Sequence, residues 1–433
     1  MKKTQVSKSL INKLRQKRIK PGAWLIVGVA FFYWGCASQP GIKKSGQGND
    51  IAAEPMIRVA LAGGPAIHKL SFEGSYTLAL EEATYSFDAT IGELEALNRD
   101  GGLTLRSKRR YFNLPSPQLL VFKPLSPDQK FKWDELSYSG ELTLHFVNGE
   151  ILAVNKLPIE TYLMGVIPHE IPTTQEEFKE AVYAQAIAAR SYALSRLDKP
   201  RDARFDLWSD ERDQVYKGIS KTPVLAKEAV INTRGNILTR NGQPALASYH
   251  ASSGGVLEVN EPADSTSGTA ARKLRLDMID GESNDKVSPY FRWVEARNSE
   301  TILQNLMREF GLDPNTAQHL IDSGYELNID INQRTPGGRV KSMTVQIGDD
   351  SFLVEGIKIR RILADPSGKP IPGNLFFLNV SPSNPDKFYI VGAGAGHGKG
   401  MSQWGAIGMA LKGRTYKNIL SFYYPNFEIR KFY

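Results

Sequence analysis

One stretch constrains the rest of this chain: residues 155–197, NKLPIETYLMGVIPHEIPTTQEEFKEAVYAQAIAARSYALSRL. It opens as a strand end at 155–159, runs through an apolar segment at 162–167 and reaches Pro168-His169-Glu170-Ile171-Pro172. A long helix is predicted next, because Thr174 with Glu177 three residues on has the form of a capping box. Ala181, Ala184, Ala186, Ala188, Ala189 and Ala193 give that helix small side chains, against which another element can pack closely. Gln185 and Arg190 interrupt the small-residue pattern, and at least one is expected to turn inward. A lone glutamate, Glu170, is thereby held between two prolines and bulky aliphatics, just before a helix N-terminus.

That setting bears on acid chemistry. A glutamate in water has a pKa near 4.3 and is no acid at neutral pH. Burial beside Ile167 and Ile171 would raise it by disfavouring the carboxylate, whereas a nearby helix N-terminus would favour the anion. Spacing alone favours a capping glutamate at the helix entry. Glycoside hydrolysis usually takes two carboxylates; the neighbours are Glu160, Glu176, Glu177 and Glu180, the last three of which read as exposed acids in the first helical turns. His169 raises zinc, but a His-Glu-x-x-His site fails because Thr173 holds the fifth position. The loop Gly394-Ala395-Gly396-His397-Gly398-Lys399-Gly400 is not a phosphate cradle, since Gly400 stands where Ser or Thr must follow the lysine. Its alternating glycines instead permit positive φ and close backbone approach. Tyr249-His250-Ala251-Ser252-Ser253-Gly254-Gly255 lacks the strand–elbow–helix frame of a serine nucleophile.

The order of elements indicates an α+β fold. Residues 56–154 alternate as strands, with Asn148-Gly149 a hairpin turn and His145 an outward strand position. Residues 155–433 mix strands and helices: strands at 235–238 and 245–250 joined by Asn241-Gly242, an amphipathic helix at 299–310 closed by Gly311, strands at 343–347, 352–354 and 375–380, a helix from Ser402 to Leu411, and a last short helix through Ile419 and Phe422. A substrate cleft is expected between the two parts.

Residues 1–36 have the three-part form of an export signal: a basic start, an apolar run at 23–34, and Gly35-Cys36. The run is short for a membrane span. Cleavage and lipidation at Cys36 is the expected outcome, with an uncleaved anchor as the alternative, and residues 37–55 read as a flexible tether. Ser38 after the cysteine favours the outer membrane, so the protein is expected on the periplasmic side of a cell envelope. Cys36 is the single cysteine, which excludes an intrachain disulfide and a cysteine-ligated zinc site. The net charge of +8 suggests nucleic acid, but the eight lysines and arginines of residues 1–20 account for all of it.

The 155–197 stretch resembles the SpoIID/LytB family, named for a sporulation protein and an amidase enhancer. Gly396-His397-Gly398-Lys399-Gly400-Met401-Ser402-Gln403-Trp404-Gly405-Ala406 resembles that family's other signature. Lesser matches follow in order at Gln214-Val215-Tyr216-Lys217-Gly218, Tyr249–Gly255, Arg334-Thr335-Pro336-Gly337-Gly338-Arg339-Val340 and Tyr423-Tyr424-Pro425. The resemblance implies that Glu170 is catalytic in a lytic transglycosylase acting on peptide-free peptidoglycan glycan strands. There the muramic acid 6-hydroxyl attacks its own anomeric carbon, so no second carboxylate is needed. It also implies that Gln185, Arg190, His250, Ser252, His397, Ser402 and Gln403 line the substrate site, Arg190 alternatively bridging helix to sheet. No cofactor or metal is expected. The rival readings are a glycan-binding amidase enhancer without catalysis, with a cell-wall amidase as partner, and an ordinary two-carboxylate hydrolase.

Overall fold

The computed structural model describes residues 53–61, 67–80, 83–99, 101–107, 111–112, 119–219, 222–258, 274–313 and 326–433. The expected leader 1–36 with Cys36, and the tether as far as residue 52, lie outside the described residues.

The strand-rich start folds into two sheets. One runs Leu207–Trp208, Met56–Ala60, Glu150–Pro158, Glu141–Val147, Leu119–Pro124, Tyr76–Leu80, Ala83–Phe87; the other Leu136–Ser139, Lys130–Trp133, Ile67–Phe72, Leu94–Arg99, Gly102–Ser107, Tyr111–Phe112. Alternation along each strand sends one face inward, and aromatic rings fill the gap between sheets: Phe72 lies 5.3 Å from Phe122 and 5.4 Å from Phe87. Asn148 (φ 52°) and Gly149 (φ 85°) are both left-handed, the geometry that closes a two-residue hairpin in register with strand twist.

The strand Glu150–Pro158 runs straight into helix α1, Ile159–Glu170. This corrects the sequence reading: Glu170 is the last residue of a helix, and no helix N-terminus follows it directly. Pro168 inside α1 leaves the Met164 carbonyl without its helical N–H; the Thr222 hydroxyl donates to that carbonyl at 3.2 Å instead. The expected capping box at Thr174 does not form. Glu176–Phe178 makes a 3-10 turn with no side-chain cap, and helix α2 spans Lys179–Leu197.

The alanines of α2 do what small residues allow. All six are completely buried, and α2 packs against α1, against α3 (Val224–Asn232), against the strand Asn236–Arg240, and against two later helices, α6 (Gln403–Leu411) and α7 (Tyr416–Tyr423). A helix buried on most sides is mainly apolar or small, and the polar side chains it buries need partners inside. One hydrophobic core therefore runs from the N-terminal sheets through α1 and α2 to the C-terminal helices.

Residues 293–392 form a lobe with a second core. Its strands are Trp293–Asn298, Asn384–Gly392 and Phe376–Ser381 in one sheet and Leu327–Arg334, Val340–Ile347 and Asp350–Glu355 in another, joined by α4 (Ser299–Phe310) and α5 (Ile357–Ile362). The predicted ends of α4 hold: Asn298 accepts the Thr301 N–H at 2.9 Å, and Gly311 closes the helix at φ 62°. Of the predicted strand 245–250, only Tyr249–His250 pairs, and it pairs in parallel with Met401–Ser402.

Candidate active site

That short parallel pairing assembles the site. It sets Tyr249 beside the start of α6, whose cap is Ser402: the Ser402 hydroxyl accepts the N–H of Gly405 at 3.1 Å and of Ser253 at 3.2 Å. Gln403 is thereby aimed at Glu170, and its Nε2 donates to Glu170 Oε2 at 3.3 Å. Glu170 Oε1 accepts the Val215 N–H at 2.7 Å. The Tyr249 side chain acts on the same carboxyl, pulling its pKa down. The loop carrying Val215 can reach α1 because Gly165 has no side chain: a Cβ there would stand 2.2 Å from the Gly218 carbonyl.

Glu170 keeps partial solvent access but is surrounded by protein. Burial raises its pKa from 4.5 to about 6, against the pull of Val215, Gln403 and Tyr249; the charge of Glu211 pushes the same way as burial. The C-terminal end of α1 also disfavours an anion, the reverse of the effect expected from a helix N-terminus. The group is therefore partly protonated near neutrality, the condition for giving and taking a proton in one cycle.

The remaining acids are engaged elsewhere or exposed. Glu160 forms a buried bidentate pair with Arg190, 2.9 Å to Nε and 2.8 Å to Nη2. Glu180 accepts the Tyr416 N–H at 2.6 Å. Glu176 and Glu177 are exposed, as predicted.

Several expected substrate contacts move into the scaffold. Arg190 is 0% exposed; besides Glu160 it binds the Asn236 carbonyl at 3.0 Å and the Thr233 hydroxyl at 3.3 Å. Its role is the helix-to-sheet bridge. Ser252 is 0% exposed and donates to Asp285 at 2.5 Å. Ser402 is 0% exposed and spent as a cap, and Gln185 is likewise sealed inside α2's packing. None of the four can touch a sugar in this conformation. His250 is 5% exposed, its Nδ1 donating to the Lys399 carbonyl at 3.0 Å. Its ring lies 5.6 Å from that of His397. His397 is exposed, accepts the Lys399 N–H on Nδ1 at 3.0 Å, and has its pKa pushed down to about 4 by enclosure and by the Lys399 and Arg339 charges. It is neutral at pH 7 and able to hydrogen-bond a hydroxyl. His169 is exposed, and Trp404 is half-buried against the main core. Among the described residues no three His, Cys, Asp or Glu are grouped to hold a metal ion.

The cleft was expected between the β-rich part and the rest. The partners of Glu170 instead all come from residues 155–433. A pocket of about 470 Å³ between Leu238, Tyr416, Leu420 and Phe427 carries no carboxyl group and cannot serve acid chemistry. Sequence reasoning missed the parts played by Tyr249 and Val215, although both lie in matched motifs. It also missed Arg339, which pairs with buried Glu258 at 3.3 Å and binds the carbonyls of Ser253 and Val256. That pair lashes the Arg334–Val340 motif to the segment of residues 253–258.

Fold and site together define an α+β protein with a half-buried glutamate of raised pKa, gripped where two distant motifs meet. A family model described as stage II sporulation protein, SpoIID, matches residues 147–240, and a domain of unknown function (DUF8618) matches 238–400. An uncharacterized protein of Brachyspira hyodysenteriae is 27% identical over 383 residues, covering 87% of this chain and 94% of its own length. Stage II sporulation protein D of Bacillus subtilis is 29% identical over 299 residues, 64% of this chain and 76% of that one. The amidase enhancer of the same organism is 28% identical over 289 residues, 61% of this chain and 39% of that one. The family model over residues 147–240 and the relatives named for stage II sporulation protein D and for the amidase enhancer support the SpoIID/LytB resemblance.

Proposed function

We propose that the protein is a peptidoglycan lytic transglycosylase that cleaves the MurNAc–GlcNAc bond of peptide-free glycan strands. Protonated Glu170 gives its proton to the bridging oxygen as that bond breaks. The resulting carboxylate takes the proton of the muramic acid 6-hydroxyl as its oxygen closes on the anomeric carbon. The products are a 1,6-anhydro end and a free 4-hydroxyl, and no water is consumed. The observation that carries this reading is a partly accessible carboxyl with a pKa of about 6, whose nearest sequence rivals are ion-paired, hydrogen-bonded or exposed. Gln403 and His397 supply neutral hydrogen-bonding groups on the signature side. With residues 1–36 exporting the chain and Cys36 lipidated, the reaction would take place on the periplasmic side of the envelope, at the outer membrane.

The test is incubation of purified protein with peptide-free glycan and mass analysis of the ends. Anhydro ends, lighter by one water than reducing ends, are expected from the wild type. Glu170→Gln should lower the rate by about 10²-fold or more; undiminished cleavage by that variant would sink the reading. Two specific observations keep rivals in view. One relative is named an amidase enhancer; a binding-only enhancer would keep its stimulation of an amidase in Glu170→Gln. The charge of Glu211 reaches Glu170; an ordinary hydrolase using it would give reducing ends.

A further inference from the structure

We propose that the outer face of the sheet Trp293–Asn298, Asn384–Gly392 and Phe376–Ser381 is a second glycan-binding surface, which holds the peptide-free strand beyond the bond that is cut. The proposal rests on the substrate read above. Alternation along the strands puts Phe376, Phe388 and Ile390 into the lobe's core and leaves their neighbours outside. Pairing then aligns three of those neighbours in one row: Val391 lies directly opposite Val294 on one side and Phe377 on the other. An antiparallel sheet with one face to water ordinarily carries polar residues there. Here Val294 is 65% exposed, Phe377 67% and Val391 42%. Tyr389, two residues before Val391 and on the same face, adds a second ring. A contiguous exposed apolar row of this kind marks a surface that meets another molecule.

Charge and position select the occupant. Lys387 Nζ stands 5.1 Å from the centre of the Tyr389 ring, and the Arg334 guanidinium 5.0 Å from that of Phe377. No carboxylate of these strands shares that face: Glu295 and Asp386, their only acids, fall on the parity of buried Arg297 and Phe388. Rings flanked by cations, with no acid among them, fit a polymer that is both stackable and anionic. Pyranose rings offer apolar C–H faces to aromatic rings, and each muramic acid freed of its peptide offers a lactyl carboxylate to a cation. The row spans about 10 Å from first strand to third, roughly the length of one disaccharide. It is also continuous with the site. Val391 and Gly392 lead directly into the loop that bears His397, which lies at most about 20 Å further along the chain. The root of that loop is tied to both flanking strands: Trp293 Nε1 donates to the Gly394 carbonyl at 2.8 Å, and the Ala393 N–H to the Leu375 carbonyl at 2.9 Å. A glycan longer than a few sugars can therefore lie on the row and on the signature loop together.

The experiment is equilibrium binding of full-length protein to peptide-free glycan strands immobilised by their reducing ends, every variant carrying Glu170→Gln so that the polymer stays intact. The parent should bind saturably. Adding Phe377→Ser should weaken binding by on the order of tenfold. Adding Lys387→Glu should weaken it at low salt and less at high salt, because an exposed charge pair is screened. Both positions are exposed, so melting temperatures should stay close to that of the parent; Lys387→Glu is read alone if Phe377→Ser does not fold. Unchanged affinity in the variants overturns the proposal. So does a row that instead joins two copies of the chain, seen in sedimentation velocity as a dimer lost in Phe377→Ser while glycan affinity holds. A parent that binds no glycan sinks the function proposed above along with this surface. Weakened binding in the variants upholds the surface even if the protein with Glu170 intact forms no anhydro ends, and that second result sinks only the proposed cleavage.

Discussion

At the scale of single residues, chemistry here was easier to read than allegiance. Arg190 shows why. Its place in a small-residue helix says that it turns inward, but not toward what. The answer is Glu160, a carboxylate 30 residues upstream that reads equally well as a second catalytic acid. Pairing them removes one substrate contact and one rival acid at once. Breaking such a pair leaves a buried charge uncompensated, at a cost of about 3–5 kcal/mol. Arg190→Met is therefore expected to lower stability in urea by that order, and Glu160→Gln combined with it should recover much of the loss. A variant as stable as wild type but weakened only in glycan binding would return Arg190 to the substrate site. Glu170 was legible from its bulky, proline-flanked setting and from the family resemblance. The grip of the Val215 N–H on it was not, because Val215 lies 45 residues further along the chain.

At the scale of elements, local pattern succeeded where local forces decide. The ends of α4, the Asn-Gly hairpins and the helix from Ser402 were all foreseeable from caps and turns. It failed at α1. Pro168 closes an apolar run and reads as a boundary, yet the helix continues to Glu170 because Thr222, far along the chain, satisfies the carbonyl that the proline orphans. No nearby residue announces that repair. The glycine loop is the reverse case: alternating glycines announce a left-handed backbone, and Gly400 adopts φ 70°. A Cβ there would stand 1.8 Å from the Ser248 carbonyl, at the point where Met401–Ser402 pairs with Tyr249–His250. Gly400→Ala should thus cost about 2 kcal/mol or more in chemical denaturation and loosen Gln403 from Glu170; full stability would mean that this strand contact is dispensable.

At the scale of the whole molecule, two buried carboxyls set a common pH response. Burial raises Glu170 from 4.5 and Asp277 from 3.8, each to about 6. A raised folded pKa means that the native state holds the proton more tightly than the unfolded chain. The resulting stability is complete below the ordinary carboxyl values and is lost as pH rises through about 6. Glu160 and Asp210 are shifted downward, by arginine pairing against the cost of burial in each. Their contribution is present above the ordinary values and is lost on acidification. Thermal stability should therefore peak near pH 5, as scanning calorimetry across pH 3–8 would reveal. Glu170→Gln, relieved of the charged form, should gain about 1–2 kcal/mol over wild type at pH 7.5 and nothing below pH 4.5. A constant difference across that range would contradict the assigned burial.

Gln403 stands 233 residues downstream of the carboxyl it holds, with the lobe of residues 293–392 emerging in between. During synthesis the acid is made early and waits, without its clasp, for the far signature to arrive. A chain still being completed holds Glu170 without the Gln403 donor, so the grip on both carboxyl oxygens is complete only once the later segment has folded into place.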